Sequence, residues 1–139
     1  MAGANEITAY LLLHLSKELP VDVWRSKRVD AMAVGAGGRM RRVQAGVDGQ
    51  ADLCGLAGPS GRMLQLECKA PGDTWRQTQK DFAARVERMG GVYLICWVKQ
   101  PSTIAEIRDR LSLRRGAPVQ HPAEIRAFFD ALRARLEGR

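Results

Sequence analysis

Asp52, Glu67 and Lys69 are the residues of this 139-residue chain whose types and spacing could do chemistry. Asp52 and Glu67 stand near the two ends of "GQADLCGLAGPSGRMLQLECKAPG", and what separates them is apolar, glycine or turn-like. If "ADLCGLA" and "RMLQLECKA" are strands and "GPSG" is the tight turn between them, the hairpin brings the two carboxylates close together. Side chains two apart on a strand share a face, so Glu67 and Lys69 point one way and Cys68 the other. Two carboxylates at short range repel, and one of them tends to keep its proton. A divalent cation removes that conflict, and hard Mg²⁺ or Mn²⁺ takes such oxygen ligands while keeping several waters. The main-chain carbonyl of Cys68, between the two functional side chains, can add a ligand. Lys69 would then orient an attacking water and stabilise charge building on phosphorus, so metal-assisted phosphodiester hydrolysis is the chemistry this set suits. Asp48 is a rival acid, but its flanking glycine marks it as a turn former.

Several elements must position these residues. Residues 4–18 read as a helix with Ile7, Tyr10, Leu11, His14 and Leu15 on its inward stripe, Asn5 as its cap and Glu6 in its first turn. Residues 21–34 read as strand, with Val29 to Val34 a second extended run within it, counted as one element; "GAGG" bends the chain back, and "RMRRVQ" returns as a hairpin strand. With the two strands around "GPSG" these predict an antiparallel meander. A long helix follows within residues 71–91, capped by Asp73 or Thr74, ended by Gly90-Gly91, and carrying Trp75, Gln79, Phe82, Val86 and Met89 on one side. The run "VYLICWV" has the pattern of a central strand buried on both faces. The strand–helix–strand passage from Leu64 to Val98 makes its two strands parallel through a right-handed crossover. Helices over 102–113, capped by Ser102 or Thr103, and over 122–138 close the chain. The expected order is α-β-β-β-β-α-β-α-α, in a single α/β domain over residues 1–139 with a core at about 6–110 and a final helix at about 122–137.

The net charge of +7 comes mostly from arginine, whose planar fork suits phosphate. Arg25, Lys27, Arg28, Arg39, Arg41 and Arg42 flank the first hairpin and read as a DNA-tracking stripe. Arg108, Arg110, Arg114 and Arg115 read as a solvated face. Trp75 is equally suited to core packing and to a wedge against DNA. Cys54, Cys68 and Cys96 form no CxxC pair and read as buried reduced thiols. His14 and His121 lie far apart, which argues against structural zinc. No apolar run approaches the roughly 18 residues of a membrane span, and no signal-peptide pattern is present, so the expectation is a cytoplasmic protein.

An aspartate, about fifteen residues, Glu-X-Lys, a helix with an inward Gln79, then an apolar strand form an ordered series that resembles the PD-(D/E)XK nuclease superfamily. Within it the chain resembles the VRR-NUC family, which includes small stand-alone phage nucleases and the catalytic domain of the Fanconi-associated nuclease. The matching pieces are "VWR" (23–25), "GVDGQADLCG" (46–55), "GRMLQLECKAPGD" (61–73), "TQKDF" (78–82) and "GGVYLICW" (90–97). Ala51 departs from the proline that the family often has before its aspartate. The resemblance implies a restriction-endonuclease-like fold, a central mixed sheet flanked by helices. It implies Asp52 and Glu67 as ligands of Mg²⁺ or Mn²⁺, Lys69 as the catalytic lysine, Gln79 as the helix glutamine that supports the active-site water or the lysine, and Glu6 as an auxiliary acid. It also implies a homodimer acting on branched or four-way-junction DNA in a bacterial or phage-infected cell. The alternative is a DNA-binding module that keeps the fold without catalysis.

Overall fold

The computed structural model describes residues 3–26, 29–34, 36–38, 40–45 and 48–138, and at 29–34, 36 and 40–45 it describes the main chain alone. The chain runs α1 (Ala4–Glu18), β1 (Val21–Arg25), β2 (Val29–Val34), β3 (Met40–Ala45), β4 (Leu53–Ala57), β5 (Arg62–Lys69), α2 (Gln77–Arg88), β6 (Val92–Trp97), α3 (Pro101–Leu111) and α4 (Ala123–Glu137). A short 3-10 turn at Ala36–Gly38 joins β2 to β3.

Four strands form a mixed open sheet in the order β1-β4-β5-β6. β1 and β4 are antiparallel, with Val23 opposite Gly55. β4 and β5 are antiparallel across the Gly58–Gly61 turn, with Leu53 opposite Leu66. β5 and β6 are parallel, with Glu67 opposite Ile95 and Lys69 opposite Trp97, as the helical crossover through α2 requires. β2 and β3 pair only with each other, in a separate two-stranded ribbon.

Alternation along β5 divides the molecule into two layers. Leu64, Leu66 and Cys68 face a core built with Ile7, Tyr10, Leu11 and Leu15 of α1, Ile104 and Ile107 of α3, and Ile125, Phe128, Phe129 and Leu132 of α4. Each fully buried Leu, Ile or Phe side chain of this set contributes roughly 1.5–3 kcal/mol of transfer free energy. On the opposite face, a smaller cluster joins Phe82, Ala83 and Val86 of α2 to Tyr93 and Ala51. Glu67, Lys69 and Gln79 are buried beside this second layer. Among the described residues no helix is long and apolar enough to cross a membrane.

The structure corrects several expectations. Residues 21–34 are two strands in different sheets, which adds a strand to the expected order, and the β2–β3 ribbon interrupts the meander because β1 pairs with β4. β6 stands at the end of the sheet as described, and its apolar character serves helix packing on both faces. The helix caps also differ. Gly3, Arg76 and Gln100 take the cap positions expected of Asn5, of Asp73 or Thr74, and of Ser102 or Thr103. Asp73 instead accepts from Ala70 N–H at 2.8 Å and stabilises the turn that follows β5. Met89 is 83 % exposed because α2 has ended before it. Cys54 is half-buried, whereas Cys68 and Cys96 are buried, and all three thiols are free.

Candidate active site

Asp52 lies one residue before β4, and Glu67 and Lys69 occupy the last turn of alternation in β5. The hairpin register brings the acids together through reciprocal main-chain bonds. Asp52 N–H donates to Glu67 Oε1 at 3.1 Å, and Cys68 N–H donates to Asp52 Oδ2 at 2.8 Å. The N–H and C=O of one strand residue point to the same side. The Cys68 carbonyl therefore lies on the edge of β5 that faces Asp52. Val98 N–H donates to Lys69 C=O at 2.9 Å and pins the far end of the strand to the chain leaving β6.

Gln79 completes the cluster from the first turn of α2. Its Nε2 donates to Glu67 Oε2 at 2.6 Å, and its Oε1 accepts from Lys69 Nζ at 2.8 Å. Lys69 Nζ also lies 3.4 Å from Glu67 Oε2. A third contact fixes the sense of the amide: Arg76 N–H donates to Gln79 Oε1 at 3.0 Å. A main-chain N–H must meet an oxygen, so the nitrogen of Gln79 faces Glu67. Gly49 allows this approach. Its φ is +82°, and a Cβ there would sit 2.0 Å from Thr78 C=O, so only glycine lets the turn leading to Asp52 pass the start of α2. Neither Arg76 nor Gly49 stood out in the sequence. The Asp48-Gly49 pair, a turn signal, was the one available sign of the glycine.

Glu67, Lys69 and Gln79 are nearly inaccessible, at 4 %, 6 % and 3 %, while Asp52 is exposed. Burial pushes the Glu67 carboxyl up to about 7, the Asp52 carboxylate adds to the rise, and Lys69 opposes it. Burial likewise keeps the Cys68 thiol protonated, so its side chain packs while its main chain serves the site. Among the described residues no cluster of three or more His, Cys, Asp or Glu side chains could hold a metal. The donor set at Asp52 and Glu67 is instead two carboxylates and a main-chain carbonyl. That set fits Mg²⁺, which is commonly held by one or two carboxylates with several waters retained. Burial is the main cause of the rise at Glu67, and the share that Asp52 adds is the charge conflict a cation would relieve.

The other expected residues are dispersed. Glu6 begins α1, where its Oε1 accepts from Gly3 N–H at 2.9 Å and its Oε2 accepts from Arg108 Nε at 2.8 Å. These bonds tie it to its own helix and to α3, and none joins it to Asp52, Glu67 or Lys69. Arg25 is exposed at the end of β1, next to Ser26, whose N–H donates to Asp52 C=O at 2.9 Å. Arg41 and Arg42 lie on β3 opposite Ala33 and Met32, with side chains outside the described residues. Lys27, Arg28 and Arg39 lie outside the described residues altogether. Trp75 is half-buried and stacks on Tyr93 with ring centroids 6.4 Å apart, which makes it part of the α2 layer. Grooves of about 480 and 610 Å³ flank α2, and neither is lined by Asp52, Glu67 or Lys69. The acidic centre thus opens at the surface through Asp52.

The described residues form an α/β fold with an open mixed sheet and four α-helices. Comparison with protein-family models, with curated proteins and with solved structures gives no match. The nuclease resemblance therefore rests on this chain's own residues and their arrangement.

Proposed function

We propose that this protein is a Mg²⁺- or Mn²⁺-dependent deoxyribonuclease, a homodimer that selects branched or four-way-junction DNA. The observation that carries the reading is the closed circuit of hydrogen bonds from Asp52 to Glu67, Gln79 and Lys69. A purely structural ion pair needs only Glu67 and Lys69. It gives no reason for a second carboxylate, exposed, beside a buried one whose proton affinity it raises.

Asp52, Glu67 and the Cys68 carbonyl would hold the cation, which supplies a Lewis acid for the phosphoryl oxygen and a lowered pKa for water. Gln79 donates to Glu67 and so favours its ionised, ligating form. The same amide takes one N–H of Lys69, and Glu67 lies near a second. An ammonium has three donors, which leaves one to meet a water or a phosphate oxygen. Lys69 is held by buried neighbours, so its charge needs no reorganisation when negative charge develops on phosphorus.

An exposed acid outside any deep pocket suits a polymer backbone better than a small molecule, which a site usually buries in a concavity. The net charge of +7 supports an anionic polymer. Arg25, beside Asp52, together with Lys27, Arg28, Arg39, Arg41 and Arg42, would follow the phosphates. Glu6 joins this reading as an auxiliary acid once its Arg108 bond opens. The test is cleavage of a labelled panel of linear, flapped and four-way DNA with Mn²⁺ and then with EDTA, alongside a solution mass measurement. Metal-dependent cutting that favours the branched forms is the expected result. Binding without cleavage of any member would make the chain a DNA-binding module instead.

A further inference from the structure

A second feature lies on the opposite face of the sheet, where the C-terminal half of α1 meets the loop after α3. A cavity of about 150 Å³ is lined there by His14, Lys17, Arg110, Arg114 and Arg115, with Leu13 and Leu113 among its apolar neighbours. Four positive charges converge on this small space. Arg110 donates from Nε to Gln120 C=O at 2.6 Å and from Nη1 to Glu106 C=O at 3.2 Å, so main-chain carbonyls fix its guanidinium without neutralising it. Among the described residues none of these four cations forms an ion pair with a carboxylate. The nearest acid on α1, Glu18, is engaged by His121 and by Arg126.

His14 distinguishes this cavity from an ordinary solvated basic face. It is only 7 % exposed, its ring packs 4.4 Å from Tyr10 and 5.2 Å from His121, and its Nε2 has no hydrogen-bond partner. A buried polar nitrogen without a partner costs about 1–3 kcal/mol unless a ligand meets it. We propose that His14, Lys17, Arg110, Arg114 and Arg115 form a phosphate-binding site separate from the acidic centre. Phosphate oxygens would accept from the guanidinium forks and from a His14 Nε2–H. Burial, with His121 and Lys17 nearby, lowers the His14 pKa, which keeps the free imidazole neutral and able to donate from one nitrogen. The phosphate could belong to a nucleic-acid strand or to a small polyphosphate, and both present the same oxygens.

The inference is independent of the nuclease reading, so its test is run in EDTA with no cleavage readout. Inorganic pyrophosphate is titrated into the full chain while the His14 imidazole is followed by ¹H–¹⁵N NMR. A saturable shift at Nε2 and a rise in the His14 pKa are expected. Arg114 and Arg115 are exposed, so an Arg114→Ala/Arg115→Ala variant should fold normally and bind pyrophosphate roughly ten-fold or more weakly. A parallel titration with a short single strand identifies the source. The same His14 shift with DNA assigns a nucleic-acid phosphate, and a shift with pyrophosphate alone assigns a small polyphosphate. A His14 signal that neither probe moves, or undiminished binding by the double variant, would overturn the proposal.

Discussion

Gln79 Nε2 donates to Glu67 Oε2 at 2.6 Å, and the same amide accepts from Lys69 on its other side. One neutral side chain thus bridges a buried carboxylate and a buried ammonium and aims both. Its orientation comes from Arg76 N–H at the start of α2, so the cap of a helix and the chemistry of a strand share one residue.

Replacing Gln79 should therefore cost stability as well as activity. Gln79→Leu leaves Glu67, Lys69 and Arg76 N–H each short of a buried partner, and the expected loss is about 2–4 kcal/mol in urea unfolding. Gln79→Glu keeps the acceptor for Arg76 and Lys69 but sets a carboxylate against Glu67. Its destabilisation should shrink as the pH is lowered.

Glu67 gives a pH dependence of definite sign. Its carboxyl is pushed from 4.5 to about 7, chiefly by burial, so the fold favours the protonated form. The stability this adds is fully present below 4.5 and is lost as the pH rises through about 7. Mg²⁺ competes with that proton. The rise in melting temperature on adding Mg²⁺ should be larger above pH 7 than below it, and Glu67→Gln should remove the difference.

Gly49→Ala should be severe. The new methyl would meet Thr78 C=O at 2.0 Å, at a φ of +82°, and would push the turn leading to Asp52 off α2. A loss above about 2 kcal/mol is expected, with Mg²⁺ binding weakened in parallel. Gly61→Ala provides the control, since its φ of +78° is similar but nothing lies within 4 Å. That change should cost only about 1 kcal/mol.

Tyr10→Phe tests the clasp between α1 and the chain entering α4. The Tyr10 hydroxyl and His121 Nδ1 lie 2.5 Å apart, and His121 Nε2 bonds Glu18. Removing the hydroxyl leaves a buried imidazole nitrogen without its partner. Unfolding should show a loss of about 1–3 kcal/mol.

Strong local patterns made much of the architecture legible. The stripe Ile7, Tyr10, Leu11, His14, Leu15 fixed α1 to Ala4–Glu18, and "GPSG" between two apolar runs fixed the β4–β5 hairpin. Alternation alone put Glu67 and Lys69 on the face opposite Cys68. What failed depends on where distant pieces of chain arrive. No breaker divides residues 21–34, yet the first part pairs with β4 and the second with β3. β6 is as apolar as a central strand because helices, rather than further strands, cover it. The caps at Gly3, Arg76 and Gln100 were missed because the entry of the chain, more than residue type, decided them. The engagement of Glu6 by Arg108 spans more than a hundred residues, and no local pattern foretells it.

The central claim is that Lys69 acts on the substrate rather than merely balancing Glu67. The most direct measurement compares Lys69→Met with the wild type for Mn²⁺ binding, DNA binding and cleavage of a labelled four-way junction. Met keeps the apolar stem and removes the ammonium. The account predicts that both binding steps survive and that cleavage falls about 100-fold or more. Cleavage by Lys69→Met at the wild-type rate would contradict it.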